Sequence, residues 1–154
     1  MKKKLTMILL AIVLCTTSLF TVDMEANAKE TEEDVTYESL FTEDALIGDM
    51  ESQTWGVYLS SGTSIINDAG GGKIGAGGKT SAAKYCQVSV NVIVERKVNG
   101  SWARVTSWTA TNSNALLVTT GKTISVASGY YYRVRCVHRA ATDASNSCTS
   151  SLWM

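Results

Sequence analysis

The 154-residue chain predicts an all-β fold, a single antiparallel β-sandwich or small barrel of about seven strands. Three observations carry this reading. From Tyr85 to Glu95 the side chains alternate, with Cys86, Val88, Val90, Val92 and Val94 on one side and Gln87, Ser89, Asn91 and Glu95 on the other, the period of two that a half-buried strand requires. Asn99-Gly100 follows, and both residues tolerate the positive φ of a type I′ hairpin turn. The chain has no proline, and no convincing helical repeat appears between Thr54 and Met154.

Ahead of that domain the sequence predicts two segments of different character. Residues 1–28 read as a secretory signal peptide, because Lys2, Lys3 and Lys4 precede an apolar run from Leu5 to Leu14, and Ala26-Asn27-Ala28 supplies small residues for cleavage. The run falls short of the roughly 20 residues of a membrane-spanning helix. The mature protein is therefore expected to be secreted, with no stable membrane insertion after cleavage. Cys15 is not expected to be lipidated, since Leu14 stands where a lipoprotein signal needs a small residue. Residues 29–53 form an acidic lead-in, flexible or weakly helical. Between Lys29 and Glu51 there are nine acidic side chains and one base, with a faint helical spacing in Tyr37, Leu40, Phe41, Asp44 and Ile47. Two expectations follow: a solvated tail, or a strap or pro-segment that shields the basic domain until a cut near Met50 to Trp55.

Residues 54–154 are expected to form the β domain. Its first strand is placed at Thr54 to Ser60, followed by a wide, mobile glycine-rich connection from Gly70 to Gly78 and then the alternating run. With Asn99 and Gly100 as a two-residue loop, Val94 faces Val105, Glu95 faces Arg104 and Lys97 faces Trp102. The same register puts Trp102, Trp108 and Ile93 together on the face opposite the valines. Further strands are predicted at Ala115 to Thr119, Thr123 to Val126, Gly129 to Arg139 and Thr149 to Trp153.

Two resemblances accompany this pattern. The stretch ISVASGYYYRVRCVH from Ile124 to His138 resembles the E-to-F corner of immunoglobulin-like and fibronectin-type domains, which implies an immunoglobulin-like sandwich; the tight Asn99-Gly100 hairpin departs from that topology. The segments GGGKIGAGGKTSAA, VIVERKVNGSW, TSW and SGYYYRVR together resemble a family of uncharacterised small secreted proteins of Gram-positive bacteria, over about residues 54 to 154. That resemblance implies an exported domain of unknown function and supplies no mechanism.

Chemistry-bearing patterns are sparse, and no catalytic residue is expected. Gly70, Gly72 and Gly75 spell G-x-G-x-x-G, but the next element is a valine-rich strand where a dinucleotide site needs a helix. A phosphate-binding loop fails because Lys73 occupies the position of its first glycine, although Lys73, Lys79 and backbone amides could hold an anion. The single histidine, His138, is expected to be a solvated strand-end residue with no acid partner. Asp68, Glu95 and Asp143 are the only acids after Ser52. No cofactor and no metal site is expected, the cysteine spacings matching no zinc pattern.

What remains is charge and aromatic surface. From Ser52 onward ten Lys or Arg face those three acids, a net of about plus seven. Tyr131, Arg133, Arg135 and Arg139 alternate with Tyr130, Tyr132, Val134 and Cys136, so one face of that strand offers guanidinium forks and a stacking ring. With Trp102 and Trp108 they form the expected binding face; the bland alternative is that the arginines solvate the sheet and pair with the acidic lead-in. Cys86, Cys136 and Cys148 permit one disulfide at most: Cys136–Cys148 if the last hairpin turns around Thr142, Cys86–Cys136 by shared inward orientation, or none. The expected role is a secreted non-enzymatic protein binding the cell envelope or another anionic or carbohydrate surface, with no nucleic-acid partner. The alternative is a bacteriocin-like antagonistic factor masked by its acidic segment.

Overall fold

The computed structural model describes residues 31–50 and 56–154. The predicted signal peptide, the residues flanking the proposed cut at 51–55 and the first residues of the strand placed at Thr54 to Ser60 lie outside the described residues. The all-β expectation holds. Eight strands are present: β1 (Glu32–Val35), β2 (Leu46–Asp49), β3 (Leu59–Gly70), β4 (Lys73–Val98), β5 (Ser101–Ser125), β6 (Tyr131–Ala140), β7 (Asp143–Cys148) and β8 (Leu152–Trp153). All pairings are antiparallel. One 3₁₀ turn, Glu38–Leu40, is the only helical element among the described residues, and none of them belongs to a helix long and apolar enough to cross a membrane.

The β4–β5 hairpin organises the molecule. Its strands are 26 and 25 residues long, and a straight strand of that length would extend about 85 Å. The ladder instead slips between Ser81 and Val88, and the hairpin folds over there. The first half of β4 pairs with β3 and the second half with β6, on the edge opposite β5. Two layers result, one ordered β1-β5-β4-β3-β2, the other built from the far halves of β5 and β4 with β6, and with β7 and β8 paired to β6. They pack face to face as an open sandwich, with β3 lying against β6 and β7.

The alternating valines do what their spacing demands. Val88, Val90, Val92 and Val94 are fully buried between the layers with Ile66, Ile74, Ile124, Tyr132 and Val134. Each such side chain contributes ~1.5–3 kcal/mol relative to exposure. The hairpin corner is also as expected, with Asn99 at φ 49° and Gly100 at φ 82°. Val98 faces Ser101, Lys97 faces Trp102 and Glu95 faces Arg104.

Beyond Arg104 the expected register fails. Val94 pairs with Thr106, not Val105, and Val92 pairs with Trp108. Val105 is an extra residue in β5, a β-bulge, and its half-buried side chain packs on the core. One inserted residue inverts every later side chain, so Trp102 and Trp108 occupy opposite faces. Trp108 packs against the core and donates its indole N–H to Thr120 Oγ1 at 3.0 Å.

The glycine-rich stretch is likewise not a wide connection. Gly70, Gly71 and Gly72, all with positive φ, make a tight turn between β3 and β4. Gly75, Gly77 and Gly78 lie in β4 itself. The segments predicted at 115–119 and 123–126 fall on one strand, β5, which ends at Ser125, and the tail beyond Ala140 adds β7 before the short β8.

The acidic lead-in, over its described residues, is part of the sheet. β1 pairs with β5 at one edge of the first layer and β2 with β3 at the other. The intervening residues 36–45 cross the outer face of that layer, over β5, β4 and β3. Tyr37 and Leu40 are buried there with Ile65, and Val35 and Ala45 pack around them. Gly75, Gly77 and Gly121 leave the room: a Cβ on any of them would press on Leu40. Asn67 clamps the crossing, its Nδ2 donating to the Leu40 carbonyl at 2.8 Å while its Oδ1 accepts from the Gly75 N–H at 3.1 Å. The weak helical spacing is spent on a single 3₁₀ turn because Leu40 gains more from the glycine trough than an isolated helix of this length could supply.

Candidate functional site

The outward face of the second layer gathers most of the residues singled out from the sequence. The face is formed by odd-numbered residues of β4 and β6 and by even-numbered residues of β5 before the bulge. Trp102 faces Lys97 across the β4–β5 ladder. Continuing the Arg96–Tyr132 pair by one step sets Tyr131 beside Lys97, and Tyr131 faces Trp153 of β8. Behind that aromatic row, Arg104, Glu95 and Arg133 stand in register.

Glu95 is the hub. Its side chain is 10% exposed, and Arg133 Nε donates to it at 2.7 Å and Arg135 Nη2 at 3.3 Å. The Arg104 opposite it makes no ion pair among the described residues, although their registers match. Arg133 also lies over the Trp102 ring, with Cζ 4.2 Å from the ring centroid, and Lys97 Nζ is 5.9 Å from the same ring. A guanidinium in cation–π contact with an indole and anchored by a carboxylate is restrained in orientation. Tyr131 and Trp153 meet edge to face with centroids 4.8 Å apart and are 45% and 58% exposed, a bare aromatic surface rather than a core. Arg139 is exposed at the other end of β6.

Five of the six binding candidates thus share this face: Trp102, Tyr131, Arg133, Arg135 and Arg139. Trp108 does not, for the bulge turns it inward. Trp153 was missed, although the predicted strand at Thr149 to Trp153 contained it; only the β6–β8 register places it next to Tyr131. The alternative partner for the arginines, the acidic lead-in, sits on the other layer. There Glu32 binds Lys122 at 2.8 Å and accepts from Thr106 Oγ1 at 2.7 Å, and those contacts hold its carboxyl below the usual range.

His138 is not a solvated strand-end residue. It is fully buried, with Nδ1 2.7 Å from Thr80 Oγ1 and Nε2 2.7 Å from Ser147 Oγ. Burial pulls its pKa down to about 4, so it is neutral at pH 7 with one ring nitrogen donating and the other accepting. Both ring nitrogens of this buried histidine are thus satisfied by hydroxyls within the core. No group of three His, Cys, Asp or Glu side chains among the described residues could hold a metal.

The three cysteines among the described residues, Cys86, Cys136 and Cys148, are free thiols. The last hairpin turns at Ala141-Thr142, so Cys136 faces Ser147 and Arg135 faces Cys148. The one-residue offset sends Cys136 into the core and Cys148 outward, which rules out the bridge between them in this register. Cys86 is half-buried at the fold-over of β4. Burial pushes the Cys136 thiol well above its ordinary pKa. In native buffer at pH 8, Cys148 is therefore expected to react with a thiol reagent while Cys136 stays protected until unfolding; mass mapping of the labelled cysteines that found Cys136 modified as fast as Cys148 would contradict this packing.

No family model matches the chain, and no curated protein matches it. Among solved structures, the solution structure of R. palustris CsgH is similar at 14% sequence identity, covering 67% of this chain and 86% of that one with a TM-score of 0.35, which is below what a shared fold requires.

Proposed function

We propose that the protein is a secreted, non-enzymatic binding module whose outer β4–β5–β6–β8 face engages an anionic or carbohydrate surface such as the cell envelope. The observation that carries this reading is the grouping of Trp102, Tyr131 and Trp153 with Lys97, Arg104, Arg133, Arg135 and Arg139 on one sheet face, where Glu95 is the single carboxylate side chain among the described residues. Exposed rings give sugars or lipid-linked glycans a stacking surface, and Arg104 and Arg139, which make no ion pair among the described residues, add exposed guanidiniums that suit carboxylate or phosphate. Arg133 and Arg135, already tied to Glu95, position the platform. A sheet face with its cations anchored in place suits an extended polymer better than a small molecule, which needs a concave pocket to lose most of its hydration.

Binding to purified cell walls and to a soluble anionic polysaccharide tests the proposal. At low salt both are expected to retain the protein. The double change Arg104→Glu and Arg139→Glu is expected to weaken retention by about tenfold or more, the equivalent of ~1.4 kcal/mol, and Trp153→Ala to weaken it without altering its salt dependence. Retention indifferent to salt and to both variants would remove the proposal.

A further inference from the structure

The sandwich is charged oppositely on its two outer faces. The first layer is crossed by the lead-in, which exposes Glu33, Glu38, Glu43, Asp44 and Asp49. Among the described residues that layer also carries Lys73 and Lys79, both half-buried, and Lys122, which is tied to Glu32 at 2.8 Å. The second layer exposes Lys97, Arg104 and Arg139, with Arg133 and Arg135 half-buried around Glu95. The whole chain carries 14 basic and 14 acidic residues and is neutral, so nothing in its net charge keeps copies apart.

We infer that the acidic, strap-covered face of one molecule docks on the basic face of a second copy, head to tail. This goes beyond the binding role above, because the occupant is the protein itself and the inference stands whether or not a glycan is bound. Two different patches meet, so the contact is heterologous and repeats in an open stack unless a rotation closes it into a ring. Complementary potentials speed such encounters and set their orientation. The strap supplies the negative face as a built surface, since β1 and β2 pin its ends and Leu40 pins its middle. An anionic polymer on the basic face would compete with the stack for the same arginines.

Sedimentation velocity of the purified protein tests this. At ~10 mM ionic strength, where the Debye length is ~30 Å, sedimentation is expected to quicken with protein concentration, and at ~1 M salt to return to that of the monomer. Arg104→Glu with Arg139→Glu, and separately Glu43→Lys with Asp44→Lys, change exposed residues outside the core and are each expected to abolish self-association. An equimolar mixture of the two variants is expected to restore a fast-sedimenting complex, because one then carries two negative faces and the other two positive ones. A wild type monomeric at low salt, variants that still self-associate, or a mixture that stays monomeric would each overturn the inference. Loss of glycan binding with self-association intact would remove the proposed function and leave this inference standing.

Discussion

Gly77→Val is expected to lower stability by ~3 kcal/mol or more, even though valine is a better strand former than glycine by up to ~1 kcal/mol. Gly77 sits mid-strand in β4, and an added Cβ would run into Leu40 Cδ1, the Thr120 carbonyl oxygen and the Tyr37 ring. Two of those belong to the strap and can move; the carbonyl belongs to the neighbouring strand and cannot without breaking the ladder. Leu40→Ala alone is expected to cost ~2–5 kcal/mol by emptying the trough. Combined, the two changes should cost less than their sum, as valine methyls enter space the leucine left. Urea denaturation of the four proteins measures the cycle. A Gly77→Val protein as stable as the wild type, or strictly additive losses, would mean that the strap does not occupy this trough.

Acidification from pH 6.5 to pH 4 is expected to remove ~3 kcal/mol through His138 alone. The sign follows from burial. The folded pKa is about 4, against an ordinary 6.5. Between those values the unfolded chain binds a proton that the folded one refuses, so stability falls as pH falls and the loss levels off near pH 4. Glu32 and Asp143 have carboxyls held below their ordinary range, Asp143 by the backbone N–H groups of Tyr58 and Leu59. Their contributions are present above the ordinary carboxylate pKa and are lost as pH drops through the depressed values, below most of the histidine window. His138→Ala is expected to cost ~3 kcal/mol or more at pH 7, because it leaves a cavity and orphans the hydroxyls of Thr80 and Ser147. It should also flatten the pH dependence between 6.5 and 4. Denaturant midpoints across that range decide the matter; a slope unchanged by the substitution would show that His138 is already protonated or solvated in the folded state.

Local chemistry explains why some features were legible in the sequence. The valine alternation, the Asn99-Gly100 corner and the pairing from Val98–Ser101 to Glu95–Arg104 depend on side-chain period and on which residues accept positive φ. The arginine face of β6 was legible for the same reason. Trp108 was misplaced because a bulge at Val105 leaves no mark in composition: an apolar residue at that position reads as one more member of the alternation. His138 was misread because a polar residue flanked by Val137 and Arg139 is assigned outward by default, and the two hydroxyls that satisfy it come from Thr80 and Ser147, 58 and 9 residues away.

By itself the sequence determined an all-β domain, its central hairpin and the strand that carries its cations, since period, turn chemistry and charge act between neighbours in the chain. Tertiary structure alone decided that the acidic segment is a strap seated on glycines, that the two layers carry opposite charge, and that Trp153 joins Tyr131. Each of these depends on strands distant in sequence meeting in one register, and a single inserted residue is enough to exchange the faces.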